Sequence, residues 1–536
     1  MKKVLLIALT IFSVNMYSQC WVDVASGYNH SLGVKSDGSL WAWGSNYFGE
    51  LGQGYSSYAN VTSPIRVGTA TNWSKVSVGG RHSVAIKTDG SLWAWGGNQY
   101  GQLGDGTNVN KYSPVQIGSS YNWSVIECGL EFTAALKTSG DFNSWGRNNS
   151  GQLGIGSTVD TNAPRSFDGP HFDRLSVGNN HCAGIQYLSG GAWVYTWGNN
   201  AYGQLGRGIG ANVLGISQIS LDPYAGVVCG DGHTLFLKPN GTVIARGKNT
   251  TGQLGYNSIS NFIGPINYTS SGELIPGTGF TMSQGVSSGN GFTAIFKGTK
   301  LWTWGNNAQG QLGKGTTTNV NYPTGMDGFS SWRKVSAKGN SVLAIKNDGS
   351  LWAWGDNSVG QLGDGTTTNR LQPTNIKIAP TFASIDPATI GTSLTALPTT
   401  SLNGITGTWS PALNNTVTTT YTFTPTESNC VKNATITIYV NDPINPNGDE
   451  LKYVASKDNS ASVLSNFQVF PNPVNDILNI ETTLDLQSVE IYSIQGQKVL
   501  FSQQKQVNVS DLSAGIYFVR IQDEKNNIAT KRIIIE

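Results

Sequence analysis

The stretch GGRHSVAIKTDGSLWAWGGNQYGQLG, residues 79–104, is the clearest indication of the fold, because its pattern returns throughout most of the 536-residue chain. Its closing triplet, Gln-Leu-Gly (once Glu-Leu-Gly), occurs seven times, at intervals of 52, 50, 52, 49, 58 and 50 residues. The leucines are Leu51, Leu103, Leu153, Leu205, Leu254, Leu312 and Leu362. A unit this short cannot bury its own core and must stack on its neighbours. Seven stacked units most naturally close into a ring, which predicts a seven-bladed β-propeller over residues 20–378.

The inside of each repeat predicts about four strands. Residues 83–87 and 91–95 carry β-branched or aromatic side chains, and Asp89-Gly90 between them suits a tight hairpin. A Trp-Gly pair stands eight residues before six of the seven leucines, and an asparagine follows three residues after it in every repeat. We expect the leucine to be the buried apolar anchor of an otherwise polar loop.

These residues resemble the regulator of chromosome condensation repeat family, whose members are seven-bladed propellers with a unit of about fifty residues. The likeness rests on the run from Gly79 to Gly104 and its recurrences, and it covers about two thirds of the chain. It implies an all-β fold. In the eukaryotic exchange factor of this family, a protruding insertion helps to displace nucleotide from a small GTPase.

Residues 1–18 predict a secretory signal peptide, with Lys2 and Lys3 ahead of an apolar run that is too short to anchor in a bilayer. Cleavage is expected near Ser18 or Gln19. Lipidation of Cys20 is an alternative, but Gln19 replaces the small residue expected before a lipidated cysteine. A bacterial protein exported in this way does not meet a small GTPase, so we expect no such partner.

Residues 380–440 alternate apolar and polar side chains and resemble the immunoglobulin-like β-sandwich modules of secreted Bacteroidetes proteins. Such modules often hold two cysteines, whereas this segment has only Cys430, so the disulfide that the resemblance implies is missing. Residues 441–465 are polar, with proline, asparagine and glycine, and predict a linker.

Residues 466–536 resemble the small β-sandwich that serves as the C-terminal sorting domain of the type nine secretion system. The matching segments are Phe470-Pro471-Asn472-Pro473, residues 515–519 and the terminal stretch 531–535. The chain departs from that pattern in ending on Glu536 instead of a lysine. The resemblance implies passage through the periplasm, with the type nine machinery as a partner, to the cell surface or the medium. The alternative is one more adhesive sandwich.

Composition excludes several functions. A net charge of +2 and 12% charged residues argue against a nucleic-acid-binding face. Four of the five histidines share one repeat position, which other repeats fill with phenylalanine or serine, so we expect a structural role for it. The shared histidines are His30, His82, His181 and His233. Five cysteines do not form a disulfide framework, although single pairs stay open. No catalytic residue, metal ligand set or cofactor motif is predicted.

Two irregularities give the only candidate binding residues. Arg246 stands where the other repeats have tryptophan, and the next interval grows to 58 residues around positions 270–285. Glu273 and Phe280 lie in that extra material. Since loops on a regular scaffold often carry recognition, these three residues are binding candidates. The alternative is that the extra residues are a loop insertion that the fold tolerates and that binds nothing.

Two functional hypotheses remain. The first is a secreted or cell-surface, non-enzymatic binding or adhesion protein that binds a protein or a glycan through one propeller face. The second is an extracellular carbohydrate-active enzyme, a lyase or hydrolase, with its site at the propeller mouth. That chemistry needs carboxylates, or a histidine with a carboxylate, converging on one point. The sequence does not identify the ligand.

Overall fold

A computed structural model describes residues 20–167, 169–189, 191–220, 224–261, 280–281, 287–441, 467–482, 486–493, 498–523 and 528–536. Every helix or strand in these ranges is a β-strand, which confirms the all-β prediction. In the same ranges no helix is long and apolar enough to cross a membrane. The predicted signal peptide and nearly all of the predicted linker lie outside the described residues.

Seven antiparallel sheets follow one another along the described part of residues 21–376, one for each repeat, as predicted for a propeller. We number them as blades 1 to 7. Blade 1 contains Trp21–Ser26, His30–Lys35, Leu40–Asn46 and Ser57–Arg66, and blade 2 contains Trp73–Val78, His82–Lys87, Leu92–Gly96 and Lys111–Gln116. Blade 3 contains Trp123–Cys128, Phe132–Lys137, Phe142–Gly146 and Thr161–Ser166, and blade 4 contains Arg174–Val177, His181–Leu188, Gly191–Gly198 and Val213–Ser220. Blade 5 contains Gly226–Cys229, His233–Leu237 and Val243–Gly247. Blade 6 contains Phe280–Thr281, Ser287–Ser288, Phe292–Lys297, Lys300–Gly305 and Val320–Gly325, and blade 7 contains Trp332–Lys338, Ser341–Lys346, Leu351–Gly355 and Arg370–Ile376.

The repeated leucine and asparagine build one loop together. All seven leucines are 0% exposed, as expected for an apolar anchor. In every blade the asparagine Oδ1 accepts the backbone N–H of the leucine, and in blade 2 this bond joins Asn98 to Leu103 at 2.9 Å. The Asn98 Nδ2 donates to the carbonyls of Thr107 and Val109 at 2.9 and 3.1 Å. One amide side chain therefore holds both ends of the loop, which explains why no repeat lacks it.

In blades 1, 2, 4, 6 and 7 the repeated tryptophan ties the blade to the one before it. Its indole Nε1 donates to the carbonyl of the residue that precedes the leucine in the previous blade, as from Trp95 to Glu50 at 2.7 Å. The same bond from Trp43 in blade 1 reaches Gln361 in blade 7 at 2.9 Å. Because this bond joins the first and last blades as it joins other neighbouring blades, the seven blades form a closed ring.

The shared histidines lie between blades. Each of the four is buried, and its Nε2 lies 2.8–3.3 Å from a serine or threonine hydroxyl of the next blade. At the first junction the Ser83 hydroxyl donates to the Glu50 carbonyl, so the Nε2 of His30 carries the proton and donates to Ser83. Burial lowers the pKa of His30 and His82 to about 3, which keeps both rings neutral.

A disulfide reinforces the closure of the ring. Each blade is built from strands that follow one another in the described sequence. No blade among the described residues therefore pairs a strand from the start of the propeller with strands from its end. Cys20, directly before the first strand, is bonded to Cys430, 410 residues later. The Cys430 carbonyl accepts the N–H of Ile378 at 2.9 Å, just after the last strand of blade 7. The pairing left open by the sequence is thus a bond between the start of blade 1 and a segment held against the end of blade 7, and it leaves no thiol for a lipid.

The described chain divides into two compact units. The first holds the seven blades with residues 395–413 and 421–436, and the second holds residues 386–394, 414–420 and 437–536. The predicted module at 380–440 is represented by the strands Gly407–Ser410, Thr419–Pro425 and Ala434–Ile438 in one sheet, and by Ala388–Thr389 paired with Val440–Asn441. Its bounds, like the other domain bounds, stay predictions.

The C-terminal region is a small sandwich of two sheets. One sheet contains Phe467–Phe470, Ile477–Thr482 and Gln506–Asn508, and the other contains Lys498–Ser502, Leu486–Ser493, Gly515–Asp523 and Ile528–Ile535. Buried aliphatic side chains such as Leu478, Val489 and Ile521 fill the space between them. Alternation of apolar and polar residues along these strands places one face of each sheet in this core.

We expect reduction of the Cys20–Cys430 bond to lower the free energy of unfolding by about 2–5 kcal/mol, because the open chain regains entropy in the unfolded state. Denaturant titration with and without a thiol reductant measures the change. The matched variant is Cys430→Ser, which should show the lower stability in both conditions. A variant that still responds to reductant would contradict this assignment.

The buried histidines predict a specific pH dependence. Folded His82 has a pKa of about 3, well below the value of about 6.5 in an unfolded chain, so the unfolded state binds more protons between these values. The contribution of neutral His82 to the free energy of unfolding is therefore fully present above about pH 6.5. It is lost as the pH falls from about 6.5 to about 3. In His82→Phe, which copies Phe132 of blade 3, the dependence between pH 6 and 4 should weaken by about 1.4 kcal/mol per pH unit. Equal slopes for the two proteins in urea titrations would refute the assignment.

Candidate functional site

The three candidate residues from the sequence lie in different settings. Arg246 is 0% exposed, and its Nη1 lies 2.8 Å from the Ala245 carbonyl and 3.3 Å from the Tyr256 hydroxyl. The guanidinium occupies the buried place of the missing tryptophan, which favours a structural role. Phe280 begins the strand Phe280–Thr281, and Glu273 lies outside the described residues. Binding by any of the three stays a prediction.

A more developed set of surface side chains lies on what we call the loop face. This face carries the loops between the first and second strands and those between the third and fourth strands, which emerge at the same end of the antiparallel blades. Three aromatic residues each stand two positions after the repeated asparagine, in blades 1, 2 and 4. They are Phe48, Tyr100 and Tyr202.

Each of these rings lies under a cation from the next blade. The Arg81 guanidinium lies 4.8 Å from the Phe48 ring centroid, and that of Arg147 lies 4.7 Å from Tyr100. The Lys248 ammonium lies 5.6 Å from Tyr202. Such pairs hold a charged group over an aromatic face, with a strength of about 0.5–1 kcal/mol at exposed positions. The blade junctions 1/2, 2/3 and 4/5 therefore repeat one aromatic–cation arrangement.

Acidic and amide groups complete two of these pairs. Arg147 forms an ion pair with Glu131, and the hydrogen bond that its guanidinium donates to the Glu131 carboxylate raises the pKa of Arg147. Near Lys248, the Asp231 carboxylate lies 3.7 Å from the ammonium and accepts a hydrogen bond of 2.7 Å from the Asn179 amide. Arg147 and Lys248 are thus held in place by neighbouring carboxylates beside the Tyr100 and Tyr202 rings.

Blade 1 adds an exposed aromatic cluster on this face. Tyr47 is 47% exposed and Tyr58 is 85% exposed. Their rings meet edge to face at 4.7 Å, and Tyr47 also meets Phe48 at 4.6 Å. The sequence prediction did not include this cluster, because that prediction rested on the positions that repeat. The available signal was the opposite one, namely aromatic residues at the variable positions of an otherwise constant loop.

A second concave feature is the central channel, a cavity of about 500 Å³ between the innermost strands of the blades. Two carboxylates line it, Asp23 and Glu127, together with three lysines. Asp23 forms an ion pair with Lys334 and accepts the backbone N–H groups of Val24 and Val76 at 3.1 and 2.9 Å. Asp23 is therefore held by structural contacts and does not form a free acid–base pair with Glu127.

Comparisons with known families agree with this architecture. Residues 37–86, 89–136, 140–185, 193–237, 300–345 and 348–397 match the regulator of chromosome condensation (RCC1) repeat, and together they cover more than half of the chain. A second description of the same repeat matches residues 21–50, 73–102, 124–152, 225–253 and 332–361. Residues 468–536 match the secretion system C-terminal sorting domain. This domain indicates export by type nine secretion to the cell surface or the medium.

Individual relatives share the repeat region. The chain is 28% identical to the probable E3 ubiquitin-protein ligase HERC4 of Mus musculus over 246 residues, which are 45% of this chain and 18% of that protein. It is 28% identical to the ultraviolet-B receptor UVR8 of Arabidopsis thaliana over 315 residues, or 58% of each chain. The chain therefore spans only part of the length of these curated relatives.

Among solved structures, Prp20p from Saccharomyces cerevisiae, described together with its binding to Gsp1p and histones, superposes with a TM-score of 0.54 at 19% identity. The superposition covers 67% of this chain and 88% of that one. At this identity the likeness shows the fold. From the six matched repeats and the closed ring of blades, the chain belongs to the regulator of chromosome condensation (RCC1) repeat family.

Proposed function

We propose that this protein is a secreted, non-enzymatic binding protein that holds an extracellular glycan on its loop face. The observation that supports the proposal is the set of aromatic–cation pairs at three blade junctions, extended by the exposed Tyr47 and Tyr58. Aromatic rings offer flat apolar surfaces, while the neighbouring guanidinium, ammonium and carboxylate groups suit hydroxyl-rich ligands.

A protein partner would use some of the same chemistry, because tyrosine and arginine dominate the energetics of many protein interfaces. The glycan is favoured because the aromatic–cation pairs recur at several junctions around the face. Spaced, similar subsites suit a polymer of similar units, and their combined affinity exceeds that of each alone.

The carbohydrate-active enzyme is the weaker reading of the same molecule. It requires carboxylates that converge at the propeller mouth, one to protonate the leaving group and one to activate a nucleophile. The channel carboxylate Asp23 is held by Lys334 and two backbone N–H groups. Ligase or photoreceptor activity is not transferred from the relatives, since the match covers only part of those proteins.

The glycan proposal predicts that the double variant Tyr47→Ala/Tyr58→Ala loses at least about tenfold in affinity, which corresponds to about 1.4 kcal/mol. The readout is binding to a glycan array, followed by titration with the best polysaccharide. Tyr121→Ala is the matched control, since Tyr121 is also exposed but lies in a connection at the opposite end of the blades. Unchanged binding by the double variant, or capture of protein partners alone, would overturn the proposal.

The sorting domain predicts a defined export result. The native gene product should reach the cell surface or the medium, with a mature chain that begins near Gln19 or Cys20 and ends between residues 441 and 466. A chain lacking residues 466–536 should stay in the periplasm, because it retains only the inner-membrane signal. Cell fractionation with mass spectrometry of the termini tests both points. Equal delivery of the truncated and full chains would disprove the role of the domain.

A further inference from the structure

The channel contains two charged residues that break the repeat, and the first is Lys338. It ends the innermost strand of blade 7, where the other six blades have glycine. A Cβ at Gly79 would lie 2.2 Å from the ring of His82, and one at Gly129 would lie 1.9 Å from the ring of Phe132. Blade 7 has the small Ser341 at the position of that ring, so it alone has room for a long side chain here.

The Lys338 side chain spans the channel. Its ammonium donates to the carbonyl of Val78 in blade 2 at 3.2 Å and to that of Cys128 in blade 3. Beyond it, hydrogen bonds join the loops at the loop face, with the N–H of Gly80 donating to Leu130 at 2.8 Å and that of Asn290 donating to Gly339 at 2.7 Å. These contacts narrow the channel at the loop face.

The second exception is Glu127 in blade 3. Blades 2, 4, 6 and 7 carry serine at this position, and each hydroxyl accepts a backbone N–H of the next blade at 2.7–3.1 Å. Those serines are Ser77, Ser176, Ser287 and Ser336. Among the described residues, the Glu127 carboxylate has neither a hydrogen bond nor an ion pair, although it lines the cavity. Burial raises the pKa of Glu127, and the nearby charges of Lys338 and Lys334 oppose that shift.

Charge in the channel selects the type of ligand. A simple cation that approaches Glu127 also meets the ammonium of Lys338, and a simple anion that approaches Lys338 meets the carboxylate of Glu127. Burying either ion beside a like charge is unfavourable. A molecule that carries both charges avoids this conflict, since it presents an ammonium to Glu127 and a carboxylate to Lys338.

We propose that the central channel is a binding site for a small zwitterion of the free α-amino acid class. Its ammonium donates to the Glu127 carboxylate, and its carboxylate accepts from the Lys338 ammonium, which has a third N–H beyond the two used on backbone carbonyls. A cavity of about 500 Å³ has room for an amino acid with its side chain. This site is separate from the loop face and does not depend on the glycan proposal.

Calorimetric titration of the purified full-length protein with each standard amino acid tests the site, with methylammonium and acetate as probes that carry one charge each. At least one amino acid should bind, and both single-charge probes should bind at least tenfold more weakly. The proposal is overturned when no amino acid binds, or when acetate or methylammonium binds as well as the best amino acid.

Three variants test the contacts without disturbing the blades. Glu127→Ser and Lys338→Gly restore the residues that other blades carry at these positions, and Glu127→Gln removes only the charge. Each should weaken amino acid binding at least tenfold. Asp327→Asn is the control, since its side chain is 95% exposed and lies outside the channel lining, and it should bind within twofold of the parent. Full binding by Glu127→Ser would refute the site, while loss of glycan binding in the loop-face variant should leave this titration unchanged.

Discussion

The ring depends on a backbone carbonyl that recurs at the blade junctions, that of the residue before the buried leucine. At the first junction the Glu50 carbonyl accepts both the Trp95 indole N–H at 2.7 Å and the Ser83 hydroxyl at 2.8 Å. The hydroxyl in turn accepts the N–H of His30 from the preceding blade. A buried carbonyl left without donors would be costly, so the blades are held in register by hydrogen bonds as well as by apolar packing. The equivalent carbonyl in blade 7, that of Gln361, accepts the indole N–H of Trp43 from blade 1. The ring therefore closes without a blade built from strands of both ends.

This rigid junction leaves the neighbouring positions of each loop free to vary. The asparagine, leucine and glycine of each loop are committed to holding the backbone, whereas the two residues after the asparagine vary from blade to blade. Phe48, Tyr100 and Tyr202 use that freedom, and a cation of the next blade covers each ring. The ring thus presents similar aromatic–cation pairs at junctions 1/2, 2/3 and 4/5.

Departures from the repeat have physical causes that can be traced. Lys338 is accommodated because Ser341 replaces the aromatic ring that forces glycine in other blades. Arg246 is accommodated because the carbonyl of Ala245 and the hydroxyl of Tyr256 accept from its buried guanidinium. In each case a second substitution nearby makes the first one tolerable. Lys338 and Arg246 are thus compensated by neighbouring residues. Glu127 differs from them, because the structure shows no compensating contact for it among the described residues.

The number of blades, the strand pattern inside each and the role of the leucine follow from the repeat alone, because a fifty-residue unit that cannot bury its own core has few ways to fold. The sequence also determined the export signal at the C-terminus, which is local and specific in its motifs. The tertiary structure alone decided that Cys20 meets Cys430 and that Arg246 is buried. It alone brought Arg81 over Phe48, and Lys338 across to Val78 and Cys128. Those contacts join residues of different blades, and repeat spacing places each blade in the ring without specifying how far a side chain reaches across a junction or across the central channel.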